Sequence, residues 1–208
     1  MLLEYLISAA VTLFVVVDPI GLTPTFLAVT SGLPATARRQ VALRAAVIAG
    51  AILTGTALIG DWLLRQLGIT PPAFRIAGGL LLFWIASEMV FGVRIERQAK
   101  DAELAIEEHV RNIAAFPLAI PLLAGPGALT ATVLLAGQAA FRPAYLAILI
   151  GVIAAVAALC LVAFWFAGRI ERTLGTTGNV LQSRLQGVLL AALAVQYVID
   201  GLRAVLKG

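Results

Sequence analysis

The sequence has a single cysteine, Cys160, and a single histidine, His109. One cysteine excludes a disulfide framework within the chain, and no set of residues has the spacing of a metal site. The G-x-S-x-G, H-E-x-x-H and Walker patterns, which carry nucleophilic, zinc-dependent and ATP-dependent chemistry, are also missing. We therefore expect no enzymatic activity, no resident metal and no organic cofactor.

Charge is scarce as well, since only 12% of the residues are Asp, Glu, Lys or Arg and 61% are hydrophobic. A soluble domain is roughly a quarter charged and half apolar, so a soluble core of this size could not bury so much apolar surface. The net charge of +4 requires no nucleic-acid partner, because the basic residues lie mostly in connections that would face the anionic cytoplasmic leaflet. The composition predicts an integral membrane protein embedded in the lipid bilayer.

Six segments each hold about 20 or more predominantly apolar residues, the length that spans a bilayer. They are residues 5–29, 42–66, 73–93, 112–137, 144–168 and 185–206. Ten Lys and Arg residues lie on one side of these segments and five on the other, and the richer side is expected in the cytoplasm. We therefore expect a multi-pass protein of the cell (inner) membrane with both termini extracytoplasmic.

Two stretches rich in proline and glycine interrupt the first and fourth segments near their middles. Residues 17–25 are V-D-P-I-G-L-T-P-T and residues 124–132 are A-G-P-G-A-L-T-A-T, at an offset of 107 residues. Backbone that leaves the helix inside hydrocarbon is tolerated only where it is buried in protein or lines a cavity. Matching breaks in two halves are typical of a transporter's central binding site.

The matching halves predict the fold class and the division of the chain. We expect an all-α integral membrane protein with six transmembrane helices in two inverted three-helix repeats, and with helices 1 and 4 broken near the bilayer midplane. The first repeat is residues 1–93, a charged cytoplasmic linker follows at 94–111, and the second repeat is residues 112–208. Three spans are an odd number, so the second repeat enters the membrane from the opposite side and the two halves form one membrane domain.

The motifs at the two breaks resemble those of a known family. The first is Asp18-Pro19-Ile20-Gly21-Leu22-Thr23-Pro24, of the form (D/N)-P-x-G-x-x-P, and the second runs from Phe116 to Gly127 as F-P-L-A-I-P-L-L-A-G-P-G. Together with the charged connection between two three-span halves, they resemble the MarC family of integral membrane proteins over essentially the whole chain. The family is named for multiple antibiotic resistance, and some archaeal members are associated with transport of small neutral amino acids such as glycine and alanine. The resemblance therefore implies a membrane transporter.

A half-helix that begins inside the membrane has about four backbone N–H groups without intrahelical partners and a partial positive charge. We expect such a start at Gly127 or Ala128 to bind a carboxylate, and we expect Asp18 to cap a helix that starts at Pro19. An ammonium group would then meet Asp18 or carbonyls released between Gly21 and Pro24. The candidate substrate-binding residues are Asp18, Pro19, Gly21, Thr23, Pro24, Thr25, Gly125, Pro126, Gly127, Ala128, Thr130 and Thr132.

Each of these residues also has a structural alternative. Asp18 would equally serve as a purely structural cap, and the threonines as hydrogen-bonding groups between packed helices. Coupling to H⁺ or to Na⁺ is open, and the candidates for it are Asp18 and Glu88. Glu88 lies near the cytoplasmic end of the third span, where an interfacial anchor is the alternative.

The residues favour a secondary transporter of a small zwitterionic solute, and the resemblance implies small neutral amino acids, glycine-like or alanine-like, or similar small metabolites. Its partner would be a small-molecule substrate, and a homo-oligomer is open. The alternative is a channel or a lipid-handling membrane protein without amino acid transport, in which the breaks form a fixed pore or groove.

Overall fold

The computed structural model describes residues 2–94, 96–97, 113–139 and 142–207, so that most of the expected linker 94–111, with His109, lies outside the described residues. The described chain is helical. In the first half, α1 is Leu2–Val17, α2 is Thr23–Val29, α3 is Ala35–Gln66 and α4 is Pro71–Phe91. In the second half, α5 is Ala114–Leu123, α6 is Pro126–Ala139, α7 is Pro143–Trp165 and α8 is Ala167–Lys207.

Four helical segments within the described ranges are long and apolar enough to cross a membrane: α3, α4, α7 and residues 177–206 of α8. The pair α5 and α6, bent by 57° at the break between them, makes a fifth if it is one span. Large apolar side chains cover the outside, including Trp84 at 67% exposure and Phe91 at 77%. Such an exterior is stable in lipid and not in water, so the protein is a multi-pass membrane protein.

Proline and glycine set the helix ends of the first half. Thr70 accepts a hydrogen bond from the N–H of Ala73 at 3.3 Å, with prolines in the first turn of α4, which is a common helix start. The same helix ends at Gly92, whose φ of 83° is in the left-handed region that favours glycine. The chain therefore turns sharply just before Arg94.

Helix α5 is irregular because of its two prolines. Phe116 and Ile120 have extended backbone, with φ of −133° and −126°, and each precedes a proline. The ring of a proline disfavours the helical region for the residue before it. The segment therefore bends away from regular helical geometry before α6 begins at Pro126.

Helix α4 packs along the carboxyl-terminal part of α8, and the two helices run antiparallel. A Cβ added at Gly79 would lie 2.7 Å from Val198 Cγ2, and one at Gly201 would lie 2.7 Å from Ile76 Cγ1. At the other end of α4, a Cβ at Gly187 would lie 2.9 Å from the Cβ of Met89. These glycines let the backbones approach, as small residues do in membrane helix pairs.

The structure differs from the expectation in the region between the fifth and sixth apolar segments. Residues 169–184 were expected as a connection, whereas α8 runs through them from Ala167 to Lys207. The one break in its helical backbone is Gly175, with φ of 62°. The stretch has no proline, so its backbone N–H groups can continue the helix, and the glycine accommodates the change of direction.

Candidate functional site

A cavity of about 390 Å³ lies where α1 ends and α6 begins. Its walls come from four parts of the chain, which are the last turn of α1, the middle of α4, the residues just after α4, and the α5–α6 junction. The lining residues are Val16, Leu81, Trp84, Ile85, Arg94, Arg97, Pro121, Leu122, Gly125, Pro126, Gly127 and Ala128. The wall formed by α4 is therefore mostly apolar. The opposite wall contains two arginines and the start of α6.

The start of α6 offers unpaired backbone donors to this cavity. The first bond of the helix runs from the N–H of Leu129 to the carbonyl oxygen of Gly125 at 3.0 Å, so the N–H groups of Gly127 and Ala128 have no acceptor within the helix. Pro126 has no N–H at all. The start of α6 therefore has the two free donors and the partial positive charge that suit an anion.

Glycine permits close contacts at both positions flanking Pro126, with backbone at Gly125 and with side chains at Gly127. A Cβ added at Gly125 would clash with the carbonyl oxygen of Pro121. One at Gly127 would lie 2.7 Å from Ile85 Cδ1 and 3.1 Å from Val16 Cγ1. A side chain at Gly127 would consequently occupy the cavity or push its walls apart.

Arg94 brings a buried positive charge to the same cavity, with 7% of its surface exposed. Its Nη2 donates to the carbonyl oxygen of Val16 at 2.9 Å, and its Nη1 contacts the sulfur of Met89 at 3.0 Å. Val16 is in the last turn of α1, where carbonyl oxygens lack helical donors and a cation is favoured. The guanidinium carries five N–H donors, so donors remain for a ligand.

Sequence reasoning missed Arg94, which it treated as one of the charges of a solvent-facing linker. The signal that could have found it is Gly92, two residues earlier, because a left-handed glycine at the end of a helix turns the following residues back towards the bundle. A charge directly after such a turn is a candidate for burial.

Asp18 is buried, at 3% exposure, in the turn between α1 and α2. The expected helix start at Pro19 is wrong, since α2 starts at Thr23. Asp18 has a φ of 56°, and its Oδ1 accepts from the N–H of Gly21 and from Nε2 of Gln182, both at 3.0 Å. The physical reason is that four residues of turn follow α1 before the chain becomes helical again, so the carboxylate bonds within that turn.

Asp18 also acts on Arg94 at longer range. The two opposite charges attract each other through the protein interior, although Asp18 is absent from the residues that line the cavity. A buried cation near a buried anion is better tolerated than either alone. No ion pair joins the two side chains within the described residues, and the bond from Gln182 to Asp18 ties α8 to the α1–α2 turn.

Glu88 lies beside the cavity and is already paired. Its Oε1 accepts from Arg97 Nη1 at 2.8 Å and from Trp84 Nε1 at 3.2 Å. Arg97 is 53% exposed at its side chain, compared with 11% for Glu88. Because Arg97 and Trp84 both line the cavity, Glu88 contacts two of its lining side chains.

The four candidate threonines do not line the cavity. Thr23 donates to the carbonyl oxygen of Ile20 at 2.8 Å and Thr132 to that of Ala128 at 2.7 Å. Thr25 is buried, and the methyl group of Thr130 packs against Gly78 of α4. Their observed contacts are those of packing and local backbone bonding.

The sequence candidates thus divide into two groups. Those that the structure brings to the cavity are Gly125, Pro126, Gly127 and Ala128, and those outside its lining are Asp18, Pro19, Gly21, Thr23, Pro24, Thr25, Thr130 and Thr132. Within the described ranges no group of three or more His, Cys, Asp or Glu side chains has the arrangement of a metal site.

Comparison with known proteins identifies the family. A family model described as MarC family integral membrane protein matches residues 3–206. The chain belongs to the MarC family of integral membrane proteins. The resemblance carried by the two motifs is therefore confirmed.

Several curated relatives match along nearly their whole length. A UPF0056 membrane protein of Aquifex aeolicus is 37% identical, with 97% of this chain and 94% of that protein covered. A UPF0056 membrane protein of Methanocaldococcus jannaschii is 34% identical over 98% of both chains, and the Escherichia coli K12 protein YhcE is 35% identical over 94% of this chain and 91% of its own. No solved structure matches the chain significantly. The names of these MarC relatives state membrane location and no substrate.

Proposed function

We propose that the protein is a secondary transporter of small neutral amino acids, glycine-like or alanine-like, or of similar small metabolites. The observation that carries the proposal is the cavity in which buried Arg94 and the free N–H groups of Gly127 and Ala128 converge. It supports a site that binds the carboxylate of a small solute within an otherwise apolar bundle.

The carboxylate would receive donors from two directions. Helix starts bind anions through backbone N–H groups and the helix dipole, and an arginine adds a planar pair of charge-assisted donors. Residues 125 and 127 are glycines, so no side chain at these two positions keeps a carboxylate away from the backbone N–H groups. This combination of donors favours binding of a carboxylate over binding of an uncharged solute.

The size and walls of the cavity support a small side chain. Val16 and Ile85 stand close to Gly127, so the space beside the helix start is narrow and apolar. A volume of about 390 Å³ leaves room for a small amino acid together with water. Large amphipathic solutes would need aromatic walls, whereas Trp84 is the one aromatic residue among the described lining residues.

The ammonium group would be bound by carbonyl oxygens at the α5–α6 junction. Pro126 has no N–H, so the carbonyl of Leu122, four residues earlier, receives no helical bond from it. The carbonyl oxygen of Pro121 lies next to Gly125, at the same junction. Asp18 would act as the counter-charge of Arg94, with H⁺ and Na⁺ as the two coupling-ion alternatives at Asp18 or Glu88.

We further propose six spans in two inverted repeats, with α1–α2 and α5–α6 as the broken first and fourth spans. The antiparallel packing of α4 on α8 supports this arrangement, because the third helices of inverted repeats run in opposite directions. The packing of α3 against α7, the second helices of the two repeats, supports it too. With both termini outside the cytoplasm of the inner membrane, the cavity beside Arg94 would open towards the cytoplasm.

Uptake into proteoliposomes tests the function. The purified protein should accumulate labelled alanine or glycine saturably when an H⁺ or Na⁺ gradient is imposed, and Arg94→Gln should abolish accumulation. Arg39→Gln is the matched control, since Arg39 is exposed on α3. Flux that neither saturates nor needs a gradient would favour the channel alternative, and an absence of amino acid flux under every gradient would overturn the proposal.

A further inference from the structure

A second polar cavity, of about 340 Å³, lies at the opposite ends of the same helices. Its polar lining comprises Ser8 of α1, Arg75 of α4, Gln138 of α6, and Gln196, Tyr197 and Asp200 of α8. Four helices of a membrane bundle thus direct six polar side chains to one space. Polar groups inside a membrane protein are costly unless they serve a ligand, an ion or each other.

The two charged residues of this cavity, Arg75 and Asp200, do not neutralise each other in an ion pair within the described residues. Asp200 accepts a hydrogen bond from Nε2 of Gln196 at 2.9 Å. One positive and one negative group therefore face the same cavity with bonding capacity to spare.

Two buried hydroxyls lie at this cavity. Tyr197 is 5% exposed and Thr12 is 0% exposed. Tyr197 lines the cavity, and its hydroxyl meets the side chains of Ser8, Thr12 and Gln138. A tyrosine hydroxyl can both donate and accept a hydrogen bond, so Tyr197 can exchange one of these contacts for a bond to a polar guest in the cavity.

The two cavities lie along the same three helices. The nearest lining residues of the two cavities are Ser8 and Val16 on α1, Arg75 and Leu81 on α4, and Gln138 and Ala128 on α6. Separations of six to ten residues correspond to about 9–15 Å at the helical rise of about 1.5 Å per residue. The two cavities therefore lie at different depths along the same three helices.

Buried leucines of α6 occupy the level between them. Leu134 is 1% exposed and Leu135 is 0% exposed, Leu134 packs against Gly78 of α4, and Thr12 of α1 lies between Ser8 and Val16. The path between the cavities is thus closed by apolar packing in this structure, apart from the Thr12 hydroxyl.

We propose that the cavity of Arg75, Tyr197 and Asp200 is a second binding site for a small zwitterionic amino acid. Arg75 and the Tyr197 hydroxyl bind the carboxylate, and Asp200 binds the ammonium group. The ligand class rests on the proposed function, whereas the site is separate from the one beside Arg94. A solute would occupy one cavity and then the other as the leucine layer opens.

Equilibrium binding of labelled alanine to the purified full-length protein in detergent tests the site. We expect two equivalents in the wild type and one in Gly127→Val. Adding Tyr197→Phe to Gly127→Val should weaken the remaining binding at least fivefold, and adding Asp200→Asn should weaken it at least tenfold. Tyr145→Phe, a tyrosine outside the cavity lining, is the matched control and should leave binding unchanged.

Ligand analogues separate the roles of the two charges. In the Gly127→Val background, propionate lacks the ammonium group, so Asp200→Asn should not weaken its binding, and alaninamide lacks the carboxylate, so Arg75→Gln should not weaken its binding. One equivalent in the wild type, lost in Gly127→Val and unaffected by Tyr197→Phe or Asp200→Asn, would overturn the second site and leave the proposed function standing. No alanine binding to the wild type would overturn both.

Discussion

Arg94 donates a 2.9 Å hydrogen bond to the carbonyl oxygen of Val16, 78 positions earlier in the chain. The bond joins the residue just after α4 to the last turn of α1, at the wall of the cavity where α6 begins. It fixes a positive charge between the carboxyl end of one helix and the amino end of another. The account of binding given above depends on this placement.

Arg94→Gln should abolish amino acid transport and lower stability. Hydrogen bonds that involve a charged group contribute about 1.5–3 kcal/mol, and the substitution removes the charge and shortens the donor. Arg94→Lys keeps the charge and loses the planar fork, so we expect partial transport. Initial uptake rates and thermal denaturation in detergent measure the two effects, and full transport by Arg94→Gln would contradict the proposed carboxylate site.

Gly127→Val should abolish uptake while the protein still folds. The nearest atoms to a Cβ at residue 127 belong to the side chains of Ile85 and Val16, which can shift by filling the cavity. Gly137→Val is the control, because the same helix has open space at that residue and valine has the same helix propensity at either place. If both variants transport equally, the space beside Gly127 is not the binding site.

Asp18→Asn and Asp18→Ala should separate charge from backbone geometry. Asparagine tolerates the left-handed φ of 56° and keeps an oxygen for Gly21 and Gln182, so it should fold normally and lose transport with the charge. Alanine loses those bonds and adds a left-handed penalty of about 1–2 kcal/mol, so it should also denature at a lower temperature. Equal thermal stability of the two variants would show that the turn does not depend on Asp18.

The orientation can be measured by labelling single cysteines introduced at the two ends of α3. In a Cys160→Ala background, we expect Leu67→Cys to react with an impermeant maleimide in intact spheroplasts. Arg39→Cys should react only after permeabilisation, because the first connection carries the cytoplasmic arginines. Both native residues are exposed, and the reverse labelling pattern would mean that the termini are cytoplasmic.

The sequence predicts the membrane class and the family well because both depend on local signals. Apolar runs identify the long helices, and the motifs around Asp18 and Gly125 identify the MarC family. Helix α6 begins at Pro126, one or two residues before the expected start at Gly127 or Ala128. A proline that cannot donate and a glycine that admits close backbone approach act within a few residues, so they are visible without the fold.

The features of the site that depend on contacts between distant residues could not be predicted from the sequence. Arg94 is buried because the turn at Gly92 brings it to Val16, and a charge count cannot distinguish such a residue from a solvated one. The role of Asp18 depends on Gln182, 164 positions away. The second polar cavity likewise combines side chains of α1, α4, α6 and α8 that lie far apart in the sequence.

The most direct measurement of the central claim is competition for labelled alanine binding by analogues that lack one charged group. It is made in an Asp200→Asn background, which weakens the second site so that binding beside Arg94 is measured. If the carboxylate is bound by Arg94 and the start of α6, propionate should compete with alanine, alaninamide should not, and Arg94→Gln should raise the Kd for alanine at least tenfold. Competition by alaninamide as strong as that by alanine, with an unchanged Kd in Arg94→Gln, would contradict the account.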